Sequence, residues 1–497
     1  MFLLVVSFLF AIIVVVSIYL HLSESHMKYV KMPPCLYRYI FLGNIPYLLK
    51  KKTPVHTYFE FLSKDIGSVF TFWFGDCPAV IINDFQMAKK LLYSKECTGR
   101  PQRYTGEMYS RGFKGIITTT ACPALRTRRN IAHKSLRFLE NTQIEELLKS
   151  EVNFFIKSIT LRMGNTDNLQ LDLSDDVSLM SCNLIWMLLF NERFSPQSEE
   201  FAEVQQMLEW LNDGLLLSNL LQGFPILRKI PLGKFLFINS FKTSRDRLIR
   251  SQTESHRDRL DKNCPKDFTD MLLMHDELSE DNVEIILSDI LVAGFETVAS
   301  TLQFMILYLI KNKNIAQKCY EEVDKILEGD DDLKLTDLDN FHYVKAVISE
   351  TMRITPAAPL GVPHITVNDL SIMEYVIPRN TTLFINIYAI HHDGNLHHQP
   401  EVFNPERFLD ENREYKSING FLPFSLGRRQ CLGKELALKE LVYFTVNVLR
   451  KFWLEAPDDG QLPIEYISKT TLKPDNYEVK LSKRHDKNCN ITRPKLH

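Results

Sequence analysis

Cys431 lies in the run Phe424-Ser425-Leu426-Gly427-Arg428-Arg429-Gln430-Cys431-Leu432-Gly433, directly ahead of the amphipathic pattern KELALKELVYFTVNVLRKF. A cysteine ligates a metal as its thiolate, and a helix N-terminus, nearby cations or the metal itself all favour that charged form. The spacing offers Cys431 all three. Gly427 and Gly433 have no Cβ, so the backbone is free to turn sharply and to approach a flat group closely. Arg429 is two residues from the sulfur, in reach of an anionic substituent on such a group, and Phe424 is placed to shield the sulfur from water. Taken alone, the same residues also fit a buried, inert thiol, since free cysteines are commonly buried.

Two other constellations bear on the choice. Ala293-Gly294-Phe295-Glu296-Thr297 sits near the middle of a helical pattern running from about Ser279 to Lys311. Glycine inside a helix costs about 1 kcal/mol relative to alanine. Gly294 therefore marks either a tight helix crossing or a ligand passing close to the backbone. Glu296 and Thr297 put a carboxylate and a hydroxyl at one depth, a short path for protons. In Glu350-Thr351-Met352-Arg353 the acid and base are three apart and share a helix face, with Arg407 following in Asn404-Pro405-Glu406-Arg407-Phe408.

Phe424, Gly427, Arg429, Cys431 and Gly433 together reproduce the cysteine-loop signature of the cytochrome P450 family, and nearly all of the chain after the N-terminal anchor resembles animal microsomal members, with the segment Pro359-Leu360-Gly361-Val362-Pro363-His364 similar to arthropod ones. The other two constellations occur in that family's order and spacing. The resemblance implies a mainly α fold with a minor β region. A long central helix lies over haem b, iron protoporphyrin IX, and the cysteine loop precedes a proximal helix. It makes Cys431 the axial iron ligand. Gly294, Glu296 and Thr297 become the proton-delivering segment, and Glu350, Arg353 and Arg407 a buried charge cluster behind the haem. Arg100, Arg129, His364 and Arg429 become propionate partners. Phe295 at the variable position should narrow the pocket. Leu125 stands where the family usually has tryptophan, which leaves open whether Arg128 or Arg129 takes the propionate role. His397 stands at another such position.

The activity implied is monooxygenation: one atom of dioxygen enters a lipophilic substrate, sterol-like, ecdysteroid-like or xenobiotic. Electrons come from NADPH through a cytochrome reductase, with cytochrome b5 as a second donor. An oxygen-independent haem-thiolate isomerase or dehydratase, or a non-catalytic haem carrier, is the alternative. Thiolate donation favours O–O cleavage.

The elements that must hold these residues are legible around them. The chain has 497 residues, 45% hydrophobic and 24% charged, enough for a large core. A net charge of −2 gives no sign of nucleic-acid binding, and nine cysteines without paired spacing suggest a reducing compartment. Residues 2–20 are uncharged and apolar, long enough to span a bilayer. The first basic residues, Lys28 and Lys31, follow that run, which places the rest of the chain in the cytoplasm. The organisation expected is a membrane anchor at 1–22, a hinge or linker at 23–50 containing Pro33 and Pro34, and a catalytic domain at 51–497. The location is the endoplasmic reticulum membrane, with a single pass. Residues 67–85 read as a hairpin turning between Gly75 and Pro78. The apolar clusters between Phe201 and Arg250 are expected to roof the pocket and touch the membrane. The histidine-rich segment 391–398 lacks metal-ligand spacing.

Overall fold

The structure, a computed structural model, describes residues 31–50, 53–102, 104–210, 235–327, 333–457, 462 and 466–484. The expected anchor at 1–22 and residues 211–234 of the expected roof lie outside them.

The N-terminal part is built on a sheet. β1 (Val69–Phe74) and β2 (Cys77–Ile82) pair antiparallel from Val69↔Ile82 to Phe74↔Cys77. Their turn needs Gly75, whose φ is 62°. The hairpin expected at 67–85 is therefore present. β7 (Thr382–Ile385) runs parallel to β2, and β4 (His364–Ile365) closes the order β1-β2-β7-β4, bringing a segment nearly three hundred residues away against the hairpin. The stretch expected to serve as a linker is packed here from residue 33 onward. Thr71 donates from its backbone to the carbonyl of Pro34 at 2.7 Å and from its hydroxyl to that of Pro33 at 2.8 Å. Buried Asn44 accepts from the Trp73 amide at 2.8 Å. Residues 33–50 thus belong to the folded domain.

The rest is mainly helical. The helices that build the site are α1 (Phe85–Tyr93), α2 (Pro123–Thr142), α3 (Ile144–Met163), α4 (Ser174–Phe190), α5 (Phe235–Arg259), α6 (Glu280–Lys311), α7 (His342–Ile354) and α8 (Lys434–Lys451). A three-stranded sheet, β3 (Asn168–Asp172), β11 (Glu478–Lys483) and β8 (Phe452–Glu455), and two smaller strand pairs complete it.

Helix α6 is the axis of the molecule, about 48 Å long at 1.5 Å per residue. Local chemistry starts it: Ser279 Oγ accepts from Asn282 N at 3.3 Å while Asn282 Oδ1 accepts from Ser279 N at 3.2 Å, with Glu280 and Asp281 in the first turn. Among the described residues it alone is long and apolar enough to cross a membrane, but most of that apolar surface is buried within the protein. A helix apolar on all sides belongs in a core. It packs against α4, α7 and α8, and their side chains form the largest hydrophobic cluster.

Candidate active site

The cysteine loop is folded by its own backbone. Cys431 N donates to Phe424 O at 3.0 Å and Gln430 N to Gly427 O at 3.2 Å, and helix α8 begins immediately after Gly433. Phe424 is half-buried and packs against the main core. The two glycines serve different ends. Gly427 has φ 71°, and a Cβ there would collide with the Leu92 carbonyl oxygen of α1, so chain geometry and a neighbouring backbone already require glycine. Gly433 has an ordinary φ of −88°, and nothing lies within 4 Å of its Cβ position.

Cys431 itself is open on one side. Enough protein surrounds the sulfur that burial pushes the thiol up from its ordinary value, with the Gly433 amide and the Arg129 guanidinium pulling the other way. The helix-start amide and the guanidinium thus pull in the direction expected from the sequence, and in the protein alone desolvation outweighs them.

Three guanidiniums gather beside this loop. Arg129 donates to Gln430 O at 2.9 Å, the residue next to Cys431. Arg128 turns away to Phe113 O at 3.1 Å, so the ambiguity left by Leu125 resolves with Arg129 at the cysteine loop and Leu125 buried in the core. Arg100 donates to Val362 O and Pro363 O at 3.2 and 3.1 Å, and its buried Nε has no partner. Arg429 spends its nitrogens on carbonyls, those of Thr98 at 2.9 Å, Ile116 at 3.3 Å and Thr119 at 2.5 Å. It pins the loop to residues 98–119 as well as supplying charge. Among the described residues none of the three arginines has a carboxylate within ion-pair distance. Burial lowers all three from the usual arginine value, and mutual repulsion lowers Arg100 and Arg429 further, Arg429 to about 10. Buried His364, whose Nδ1 bonds Cys97 O at 2.6 Å, is driven down to about 3 by burial and then by the Arg100 charge. A neutral His364 with Nδ1–H on that carbonyl offers Nε2 as an acceptor. It donates to an anion only once protonated.

Buried cations that repel one another without an acid are stable only with anionic charge from outside the chain. An open cysteine beside them adds the donor for a soft or borderline metal. An iron porphyrin with two carboxylates meets both demands, and the residues present fit haem.

On α6, Ala293 is exposed and Thr297 partly so, although the helix is otherwise core. They lie one turn apart on one face. Thr297 Oγ1 donates to Ala293 O at 2.9 Å, leaving its lone pairs free to accept. Glu296 is half-buried beside it. Gly294 faces elsewhere: a Cβ would come within 2.9 Å of Ile185 Cδ1 on α4, so it marks a helix crossing. Phe295 is buried in the main core.

The charge cluster is complete. Arg353 Nε and Nη2 grip Glu350 Oε2 and Oε1 at 2.7 and 2.9 Å, and Arg407 Nε reaches Oε1 at 3.3 Å. Arg353 Nη1 donates to His391 O at 2.7 Å, and Nη2 donates also to Pro400 O at 2.6 Å. His391, which the sequence did not single out, ties this cluster to the cysteine loop's approach. Its Nδ1 meets Arg353 O at 3.0 Å, and its Nε2 accepts from Leu422 N at 2.9 Å. Both ring nitrogens are thereby used. His397 is buried, with Nε2 unpartnered. Among the described residues one trio, His256, Asp267 and Asp270, is close enough to share a metal ion. There Arg259 Nη2 already lies 2.8 Å from His256 Nε2, which makes the group an internal ion-pair cluster.

Comparison with known proteins agrees with this geometry. The cytochrome P450 family model matches residues 33–481. A steroid 17-alpha-hydroxylase/17,20 lyase of Squalus acanthias is 30% identical over 475 residues, covering 91% of this chain and 92% of the relative. The protein of that name in Rana dybowskii is 32% identical over 462 residues, 89% and 88% of the two chains, and the Homo sapiens one 27% over 498 residues, 96% and 97%. The chain belongs to the cytochrome P450 family and is a haem-dependent monooxygenase.

Proposed function

We propose that this protein hydroxylates a steroid or steroid-like lipophilic substrate at a haem held by Cys431. Electrons would come from NADPH through a cytochrome reductase, with cytochrome b5 as accessory donor, and residues 2–20 would anchor the chain in the endoplasmic reticulum membrane. The observation that carries this reading is the open Cys431 beside buried Arg100 and Arg429 and half-buried Arg129, which no carboxylate of the described chain neutralises. The steroid part rests on the relatives' names and on their coverage of nearly the whole chain.

When bound, the haem iron supplies the redox chemistry that splits dioxygen. The protein's own groups do the rest. Cys431 would hold the iron through its sulfur, and Arg129 and Arg100 would hold the anionic edge of the group, with Arg429 securing the loop. Thr297 Oγ1, its proton committed to Ala293 O, accepts a proton-bearing group from the open side. Glu296 offers an exchangeable carboxyl at the same depth. The Glu350 cluster keeps the support beneath rigid.

The test is full-length protein reconstituted with reductase and NADPH, screened against steroids and xenobiotics by substrate-induced spin shift and then supplied with isotope-labelled dioxygen. Label in a steroid product, dependent on NADPH, is expected; product lacking the label would exclude monooxygenation. Thr297→Ala should keep haem and steroid binding but release more reduced oxygen per product. Unchanged coupling would remove Thr297 from the proton path.

A further inference from the structure

A cavity of about 200 Å³ lies between α3 and α4, and none of its walls belongs to the site around Cys431. Each helix gives it one face. On α3, Glu151, Phe154, Phe155, Ser158 and Arg162 recur at three- and four-residue spacing, and on α4 Asp176, Leu179, Met180 and Asn183 do the same. Pro196 and Gln197, both exposed, line it from the loop after α4. Ile185 stands about 140° round α4 from Met180, and it is Ile185 that meets Gly294 of α6. Helix α4 thus lies between this cavity and the central helix.

The walls are mostly apolar, and the Phe155, Leu179 and Met180 side chains are buried. Their charges are already paired. Arg162 Nη2 meets Asp176 Oδ1 at 2.7 Å, and Arg193 Nε reaches Glu151 Oε1 at 3.1 Å while its guanidinium lies 3.4 Å over the Phe154 ring. The Asn183 amide is spent on Phe194, accepting from its N at 2.8 Å and donating to its O at 3.2 Å. One polar atom is left over. Glu151 is 1% exposed, and its Oε2 has no hydrogen-bond partner among the described residues. Burial pushes this carboxyl up, and Arg193, Ser150 and Asn183 favour the charged form without offsetting that rise. A buried oxygen without a donor is costly, and one donor from a ligand would remove the cost. An apolar cavity of about 150 Å³ takes benzene, so this one has room for an aromatic ring with a short substituent. A ligand ion would add charge to walls whose own charges are already matched, whereas a neutral hydroxyl supplies the one donor required.

We propose that the cavity between α3 and α4 is a second binding site, one for a small neutral phenol whose ring packs against Phe155, Leu179 and Met180 and whose hydroxyl donates to Glu151 Oε2. The inference stands apart from the haem-thiolate reading, because no residue of the cysteine loop or of the 293–297 segment lines this space.

The test is fluorine NMR of two probes, 4-fluorophenol and 4-fluoroanisole, with full-length holoprotein whose haem site is blocked by the bulky azole clotrimazole. The second probe has the same ring and oxygen but no donor. The parent protein should bind 4-fluorophenol saturably and prefer it about tenfold or more over 4-fluoroanisole, the worth of a hydrogen bond to a charged group. Glu151→Gln sets an amide where the carboxylate stood, so that preference should shrink to about twofold. Ser158→Phe fills the space and should weaken both probes about tenfold or more. Absence of 4-fluorophenol binding at millimolar concentration, equal binding of the two probes by the parent, a preference that survives Glu151→Gln, or full affinity in Ser158→Phe would each overturn the site. Tighter binding of protonated 4-fluorobenzylamine would overturn the neutral ligand. Should Glu151→Gln fail to fold, Ser158→Phe and the comparison of the two probes in the parent decide.

Discussion

The molecule contains two largely buried groups of arginines with opposite electrostatics. Behind the site, Arg353 and Arg407 share Glu350, and each guanidinium also meets backbone carbonyls. Beside Cys431, Arg100, Arg129 and Arg429 also meet carbonyls, but no carboxylate joins them among the described residues, and burial and mutual repulsion lower their basicity. The first group is closed on itself and serves rigidity. The second is arranged for charge brought from outside the chain, and that distinguishes a binding site from a structural cluster made of the same residue type.

Mutation should separate them, most strongly behind the site. Glu350→Ala leaves a fully buried Arg353 without its acid, a loss of about 3–5 kcal/mol. Unfolding followed by circular dichroism should show a large drop in stability with or without haem. Near-parent stability would erase the contrast.

Arg100→Met tests the other group, and there the signs should split. Haem-free protein should melt at or above the parent's temperature, because one of three repelling cations is gone. Haem retention, followed by transfer to apomyoglobin, should weaken by about 1.5–3 kcal/mol, the worth of a lost charge-assisted hydrogen bond. A parallel fall in both would make Arg100 merely structural.

The glycines sharpen the contrast within one loop. Gly427→Ala adds a clash and a disfavoured φ, costing about 1–3 kcal/mol, whereas Gly433→Ala in haem-free protein should stay within about 0.5 kcal/mol. Equal costs would place both glycines in the same structural role.

The smallest effect concerns the remote His256–Asp267 pair, 2.9 Å apart. Burial alone would lower this histidine, but hydrogen bonding to Asp267 and its charge win, and the net shift is upward. A raised folded value means the pair stabilises fully below the unfolded histidine's pKa of about 6.5 and loses that contribution as pH rises through the folded value. His256→Gln should flatten this part of the stability profile by about 1 kcal/mol or less. An unchanged profile would leave the pair without a pH role.

What could be read from the sequence was mostly local. The Ser279 cap, the turn at Gly75 and the three-residue spacing of Glu350 and Arg353 each act within a few residues, and the structure has them where the pattern placed them. What escaped depended on partners far along the chain. Nothing near Gly294 announces Ile185, and nothing near Gly427 announces Leu92. The packing of residues 33–50 depends on β1, and the three carbonyls that occupy Arg429 come from residues 98–119. Asp289 did leave a signal, a lone acid in the apolar run IILSDILVAGF. A buried acid needs donors, and the Ile116 and Ile117 amides and the Tyr109 hydroxyl supply them.

The central claim is that Cys431 presents its sulfur to haem iron within a shell of uncompensated arginines. The most direct test is the carbon monoxide spectrum of the reduced protein, parent against Cys431→Ala, with haem content and melting temperature recorded for both. The account predicts a thiolate-type band in the parent and its loss in the variant, which should remain folded. A thiolate-type band that persists in Cys431→Ala would contradict it.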